Sequence, residues 1–423
     1  ESMSKAKVIV VGGGAAGLMA AGQAALGGAE VVLFEKMEKP GRKLRITGKG
    51  RCNLTNIAPV REFVERFGKN GKFLHQAFSR FFAEDLVAFL GELGIAVESE
   101  RGGRVFPENN DAPAVTEALI RWVRSCGVRV HTNAPVARIL TQDNRAIGVI
   151  VNKEKITADA VVIACGGASY PGTGSTGDGY KLAREVGHTI VPVRPALVPL
   201  MTRGPVAKQL QGLSLKNVKV VVLVDGKKND EAFGEMLFTH YGLSGPIILT
   251  LSRGVVDALE AGRKVSASID LKPALDDKKL DARLLRDIKE HPNQKYHTML
   301  KELLPQKMLD VCCVLTGISP GKSAHQVTAA ERKRLRLWLK DFRFEITGHR
   351  SFTEAIVTAG GVALKEIDPR TMESKLIRGL YFAGEVLDID GDTGGYNLQA
   401  AFSTGWLAGN SVVLSGNKRN EWI

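Results

Sequence analysis

"KVIVVGGGAAGLMAAGQAALGGAEVVLFEK", residues 7–36, decides the fold. A run of β-branched residues, "KVIVVG", predicts a strand. A helix follows from Ala15 to Leu26, then a second strand, "EVVLFEK". Between the first strand and the helix, Gly12, Gly14 and Gly17 keep GxGxxG spacing. One glycine makes the tight turn, one lets the backbone approach a pyrophosphate, and one lets the helix pack against the strand. The helix start at Ala15 and Ala16 then offers free N–H groups and a positive dipole end to the phosphates. Glu35 closes the second strand, where an acid accepts hydrogen bonds from a ribose and disfavours a 2′-phosphate. The expected ligand at this site is FAD or NAD rather than NADP.

Directly behind Glu35 and Lys36 comes "GRKLRITGKGRCNLTN", residues 41–56, with five basic residues and no acid. Alone, it reads equally as a phosphate loop, a nucleic-acid patch or a thiol site. Behind the fingerprint it reads as a cofactor-cradling loop. Gly48, Lys49, Gly50, Arg51 and Asn53 are the expected donors, and Arg42 and Lys43 offset phosphate charge. Cys52 is a candidate proton donor, because Lys49 and Arg51 would lower its pKa. The alternative is a small buried residue.

A second literal match, "GTGSTG" (Gly172, Gly174, Gly177), follows the strand-like "ADAVVIACGG". No strand-ending acid follows it about twenty residues on. It therefore reads as a loop beside the same cofactor, with Asp178 opening the helix "GDGYKLAREVG".

The 423 residues suffice for two or three domains with proper cores. No apolar run approaches the ~20 residues of a membrane helix, so no membrane partner is expected. Glu1 and Ser2 precede Met3 and are expected to be remnants outside the natural start, with no signal peptide. Five scattered cysteines without a CxxC pair suit a reducing cytoplasm and disfavour flavin dithiol chemistry; Cys312 and Cys313 are adjacent and supply no such pair. Eight histidines without HExxH or Cys/His ligand spacing predict no metal site. Against 45 Asp and Glu stand 58 Lys and Arg, a net +13. That balance fits a polyanionic partner such as RNA, or simply a basic soluble surface.

The α/β style of the N-terminal part breaks after His188 into strands, "TIVPVRPALVPLMTR", "LKNVKVVVLVDG" and "KVSASIDLKP". A charged helical region follows, and "GLYFAGE" with "GGYNLQAAFSTGWLAG" then restores strand and small-residue helix. The expected architecture is an α/β Rossmann-like FAD-binding domain, residues 1–190 and 356–423. It is interrupted by a β-barrel-like domain, 191–272 and 343–355, which carries a small helical subdomain, 273–342.

The order of fingerprint, Glu35, "VVIACGG" and "GLYFAGE" resembles the two-dinucleotide-binding-domain flavoproteins of glutathione-reductase-like fold. "TGSTGDGY", "PALVPL", "LFTHYGLSGP", "VTAGGV" and "TMESKLIRGLYFAGEVLDIDGDTGGYNLQAAFSTG", with the basic loop, are similar to the YhiN/BaiN-like (aminoacetone-oxidase-type) flavoproteins from end to end. The resemblance implies bound FAD as cofactor. Beyond the residues above, it implies cofactor contacts from Val136, Cys165, Gly166, Gly167, Gly174, Gly384, Glu385, Asp392, Gly394, Gly395, Tyr396 and Asn397. A helix starting near Asn397 would stabilise charge on the flavin pyrimidine. The alternative for the Asp and Gly residues is turn chemistry.

No second complete fingerprint exists, so NAD(P)H is expected to visit transiently as reductant. Family members are linked to reduction of activated C=C bonds, in steroid-type substrates and in uracil of ribosomal RNA. The preferred expectation is a uridine of ribosomal RNA, with Arg332, Lys333, Arg334 and Arg336 of "ERKRLRLWLKDFRF" as phosphate contacts and Trp338 and Phe342 nearby. The alternative for that stretch is an amphipathic helix with solvated charges. His240 and Tyr241, in "LFTHYGLSGP", join Cys52 as candidate proton donors; His240 alternatively caps the next helix. Two other readings stay open. One is a small-molecule reductase or oxidase of steroid, fumarate or amine type, since "TGDGY" resembles the "TGDG" of fumarate-reductase-like proteins. The other is a non-catalytic RNA-binding protein with structural FAD.

Overall fold

The computed structural model describes residues 5–417. They form two compact units. The first is built from both ends of the chain, up to Pro195 and from Ala355 onward, and the second is Ala196–Glu354.

In the first unit, β1 (Lys7–Val11), α1 (Ala15–Leu26) and β2 (Glu30–Phe34) begin a five-stranded sheet. Its order is Leu380–Phe382, Ala160–Ile163, β1, β2, Arg129–His131, and every pairing is parallel. Val8, Ile9, Val10 and Val11 are all buried. Parallel sheets are covered on both faces, so a central strand needs an uninterrupted apolar run rather than alternation. The C-terminal helix Tyr396–Asn417 crosses α1. A Cβ at Gly405 would stand 2.4 Å from the Ala16 carbonyl oxygen, and one at Gly409 2.4 Å from that of Ala20. The two helix backbones therefore touch, which only small residues allow, and this contact binds the last segment of the chain to the first.

The stretch "TIVPVRPALVPLMTR" does not belong wholly to the insertion. Its first half, the strand Ile190–Ala196, pairs with Val357–Val362 of the first unit; only Leu200–Thr202 enters the barrel. The unit boundary accordingly falls after Pro195 rather than at 190.

In the second unit, six strands close a barrel in the order Leu200–Thr202, Gly242–Ser244, Lys227–Phe238, Ser214–Val224, Val265–Asp270, Phe342–His349. Val218, Val220, Val222 and Val224 are buried, the period-two pattern of a strand with one inward face. The helices Asp277–Glu290, Leu309–Thr316 and Ala329–Lys340 join the same core through Leu280, Leu284, Cys312, Leu335 and Leu339. Among the described residues no helix is long and apolar enough to cross a membrane, and no group of three or more His, Cys, Asp or Glu is placed to hold a metal ion.

Candidate functional site

The glycine-rich turn opens the site. Gly12 has φ +102°, and a Cβ on Gly17 would lie 1.9 Å from the Gly12 carbonyl oxygen, so turn and helix pack without room for a side chain. A Cβ on Gly14 would meet nothing within 4 Å. Gly14 begins α1 without a side-chain cap, and the first turn holds no acid. Open space above an uncapped helix start suits an anionic group. Glu35 binds the turn itself: Oε2 accepts from the Gly13 N–H and Oε1 from the Met37 N–H, both at 2.8 Å.

Three loops join this turn. Lys36 Nζ donates to Thr176 Oγ1 and to Asp178 Oδ2, each at 2.5 Å. Arg42 Nη2 donates to the Gly172 carbonyl at 3.3 Å. The second glycine match is thus a loop of this same site, with Gly174 at φ +105° and Gly177 opening the helix Asp178–Glu185. Lys43 Nζ pairs with Glu385 Oε2 at 2.6 Å and donates to Ser169 Oγ at 3.3 Å. Glu385 Oε1 accepts from the Thr358 N–H at 2.8 Å and from Ser169 Oγ at 3.2 Å. The N–H groups of Ala168 and Ser169, next to Gly166 and Gly167, donate to Thr358 Oγ1 at 2.8 and 3.1 Å. Ser169 and Thr358 were missed as site residues. The only signal for Thr358 was its place in "VTAGGV", and a lone Ser or Thr carries no spacing rule.

The basic loop is strained where glycine would be comfortable. Gly48, Lys49, Gly50 and Cys52 all have positive φ, between +57° and +84°. Lys49 is exposed. Arg51 is committed elsewhere: it pairs with Glu100, donates to Asn110 Oδ1 at 2.5 Å and lies 4.2 Å over the Phe106 ring. With its amide turned to suit its neighbours, Asn53 accepts from the Gly395 N–H at 3.0 Å and donates to the Thr55 carbonyl. Asn56 Nδ2 donates to the Gly394 carbonyl at 3.0 Å. The loop is thereby fastened to the glycine pair ahead of the C-terminal helix. Asn397 bonds within its own turn, donating to the Gly391 and Asp392 carbonyls and accepting from the Gly391 N–H. Tyr396 is buried edge-on to Phe63, and Asp392 lies 3.6 Å from Arg66. Gly384 packs tightly on Ala16, and its N–H donates to Thr404 Oγ1. Val136 opens the strand Val136–Gln142, partly buried against the core.

Both site cysteines are quiet. Cys52 is fully buried, and desolvation pushes its thiol up to about 12 despite a hydrogen bond with Thr47. The basic neighbours do not lower it, because the side chain points into the core. Burial likewise pushes Cys165 up to about 12, and its Sγ donates weakly to the Val11 carbonyl.

In the second unit, His240 is exposed and lies against the Tyr241 ring at 4.7 Å. It caps nothing: the following helix, Pro246–Glu260, starts at Gly245 without a side-chain cap. Tyr241 Oη donates to Glu354 Oε2 at 2.9 Å, and Arg350 lies 4.5 Å over the ring while holding Glu354 Oε1 at 2.6 Å. Burial and the Glu354 bond raise the phenol pKa, and the Arg350 bond lowers that of Glu354. A protonated phenol thus faces an ionised carboxylate.

The helix of "ERKRLRLWLKDFRF" differs from its reading as a phosphate surface. Arg332 donates to Asp281 at 2.7 Å; Arg336 holds Asp281 at 2.6 Å and Asp277 at 3.1 Å; Lys340 holds Asp270 at 2.6 Å. Arg334 is exposed but donates to the Thr316 carbonyl, and Lys333 is exposed. Phe342 is buried with Trp338 against it at 4.9 Å, so that ring is closed to a base.

A glycine-rich βαβ turn, an acid at the end of the second strand that holds this turn, an uncapped helix start and a returning C-terminal strand and helix define a Rossmann-type flavoprotein oxidoreductase. The HI0933-like protein Rossmann domain model matches residues 6–411, and the chain belongs to this family. It is 33% identical to the 3-dehydro-bile acid delta(4,6)-reductase of Clostridium scindens, over 96% of this chain and 99% of the relative. It is 32% identical to the ribosomal RNA dihydrouridine synthase of Escherichia coli, over 98% of this chain and 99% of the relative. A quinol-fumarate reductase structure shares the fold, with TM-score 0.52 and 18% identity over 99% of this chain and 72% of that one. FAD fits the residues present: the open space at Gly14 above an uncapped helix start would leave room for a pyrophosphate.

Proposed function

We propose that this chain reduces a C=C bond conjugated to a carbonyl, in a uridine of ribosomal RNA, using hydride from NAD(P)H. The C5=C6 bond of uracil is conjugated to its C4 carbonyl, and the Clostridium relative is named for reduction of unsaturated bonds in a 3-oxo steroid, so one chemistry covers both relatives. The observation that favours RNA is charge. Residues 196–354 hold 26 Lys and Arg against 18 Asp and Glu, a surplus suited to many phosphates rather than one carboxylate.

Bound FAD supplies the hydride carrier between NAD(P)H and the acceptor. The chain's own residues do the rest. Glu35, Lys43 and the α1 start bind and orient the cofactor. Hydride adds to C6 and NAD(P)H is oxidised, so a proton must reach C5. Tyr241 is our choice for that proton, supported by its retained phenol hydrogen and by Glu354 and Arg350, which fix its ring. Cys52 is less suited, being enclosed.

Incubation of the FAD-loaded protein with NAD(P)H and unmodified ribosomal RNA should give a nucleoside two hydrogens heavier than uridine by mass spectrometry. An unchanged nucleoside profile, with steroid enone reduced instead, would transfer the assignment to the small-molecule reading that the bile-acid relative supports.

A further inference from the structure

We infer that the exposed face of the helix Asp277–Glu290 tracks the phosphates of the RNA substrate; this rests on the ribosomal-RNA reading above. Lys278, Ala282, Leu285, Arg286 and Lys289 are all exposed. At 100° per residue they fall within about a third of the helix circumference. Among the described residues, Lys278, Arg286 and Lys289 form no ion pair.

The acids of the same helix point elsewhere, and the reason is visible. Asp281 and Asp277 face the helix Ala329–Lys340, where they neutralise Arg332 and Arg336. Asp287 lies 3.7 Å from Arg283, and Asp276 caps the helix start by accepting from the Lys279 N–H. Leu280 and Leu284 are buried. Asp277 is exposed but held by Arg336, and Glu290, at the last position, is the other exposed acid of the helix. The inner face thus consumes the negative charge of this helix and the positive charge of its neighbour, and the outer face is left cationic.

The stripe is about 17 Å long from Lys278 to Lys289 at 1.5 Å per residue. That length exceeds any single small anion and matches a run of phosphates along a strand. Leu285, 45% exposed, lies among the cations and offers apolar contact to sugars or bases. RNA is the occupant that charge complementarity selects.

The test compares binding of protein-free ribosomal RNA, across a salt series, by wild type, by a stripe variant and by a charge-matched control. The stripe variant is Lys278→Ala with Arg286→Ala and Lys289→Ala; the control is Arg121→Ala with Arg124→Ala and Lys153→Ala, exposed cations of the first unit. Flavin absorbance and melting temperature check that each protein is intact. Three lost phosphate contacts should lower the slope of log K against log salt by about 2 and weaken binding at least tenfold, with the control within twofold of wild type. A stripe variant that behaves like the control overturns the surface assignment and leaves the RNA reading standing. Absence of RNA binding by wild type overturns both. Stripe-dependent binding to phosphatidylserine vesicles without RNA binding would reassign the face to a membrane surface.

Discussion

Lys43 and Glu385, 342 residues apart in the chain, meet in an ion pair at 2.6 Å, with their side chains 24% and 19% exposed. The pair ties the basic loop behind β2 to the turn that follows the last strand of the sheet. Lys43→Met leaves Glu385 half-buried without its cation. The expected cost is about 1–2 kcal/mol, between the exposed and fully buried limits for ion pairs. FAD retention after gel filtration, read from flavin absorbance per protein, should fall, and Lys43→Arg should restore most of it. Full retention in Lys43→Met would remove the pair from the cofactor site.

Cys52 should behave as core. In native protein at pH 8, iodoacetamide should leave it unmodified, as peptide mass spectrometry will show, because the thiol is enclosed and held protonated up to about 12. Cys52→Ala should cost about 1 kcal/mol in urea unfolding and leave NAD(P)H turnover within about twofold. A hundredfold loss of turnover would return Cys52 to the reaction.

Tyr241→Phe separates the two half-reactions. Flavin reduction by NAD(P)H in the absence of acceptor should keep its rate. Reoxidation by the unsaturated acceptor should slow about 10²-fold or more, the usual contribution of a positioned proton donor. Equal effects on both halves would point to a structural role.

His188 gives the first unit an acid limit. Its Nε2 lies 2.8 Å from Ser374 Oγ, and that oxygen already accepts from the N–H groups of Leu376 and Ile377. The serine hydrogen is therefore given to Nε2, and Nδ1–H is left to donate to Glu366 at 3.1 Å. The ring is held neutral, and burial lowers its pKa from the ordinary 6.5, with Glu366 opposing. The unfolded chain takes up this proton near pH 6.5 and the folded chain only at lower pH, so stability falls as pH drops below about 6.5. The carboxyl of Glu366, itself held below its ordinary value, extends the loss below about pH 4.5. Urea midpoints at pH 7.5 and 5.5 should differ in wild type and converge in His188→Gln.

Arg336→Ala should destabilise without touching RNA binding. The guanidinium is 16% exposed and holds both Asp277 and Asp281, so its loss should cost about 1–2 kcal/mol in urea unfolding. Affinity for ribosomal RNA should stay within twofold. A large change in affinity at unchanged stability would restore this helix as the contact surface.

The apolar run Val8–Val11, the spacing of Gly12, Gly14 and Gly17 and the acid at Glu35 were decided by the sequence alone. Each is a demand of local backbone geometry or of burial on both faces, so it leaves a pattern within thirty residues. The same holds for the return of strand and small-residue helix after residue 380, because two helices touching through Gly405 and Gly409 need small residues at helical spacing. Other features were decided only in three dimensions. Arg51 reads as a phosphate ligand until Glu100 is brought beside it. Cys52 reads both as a thiol among basic neighbours and as a small buried residue, and the fold decides for the second by turning it inward. Arg332 and Arg336 read as a nucleic-acid surface until Asp281, about fifty residues earlier, is laid against them. A charge or a thiol takes its chemistry from what surrounds it, and for these residues the surroundings come from distant parts of the chain.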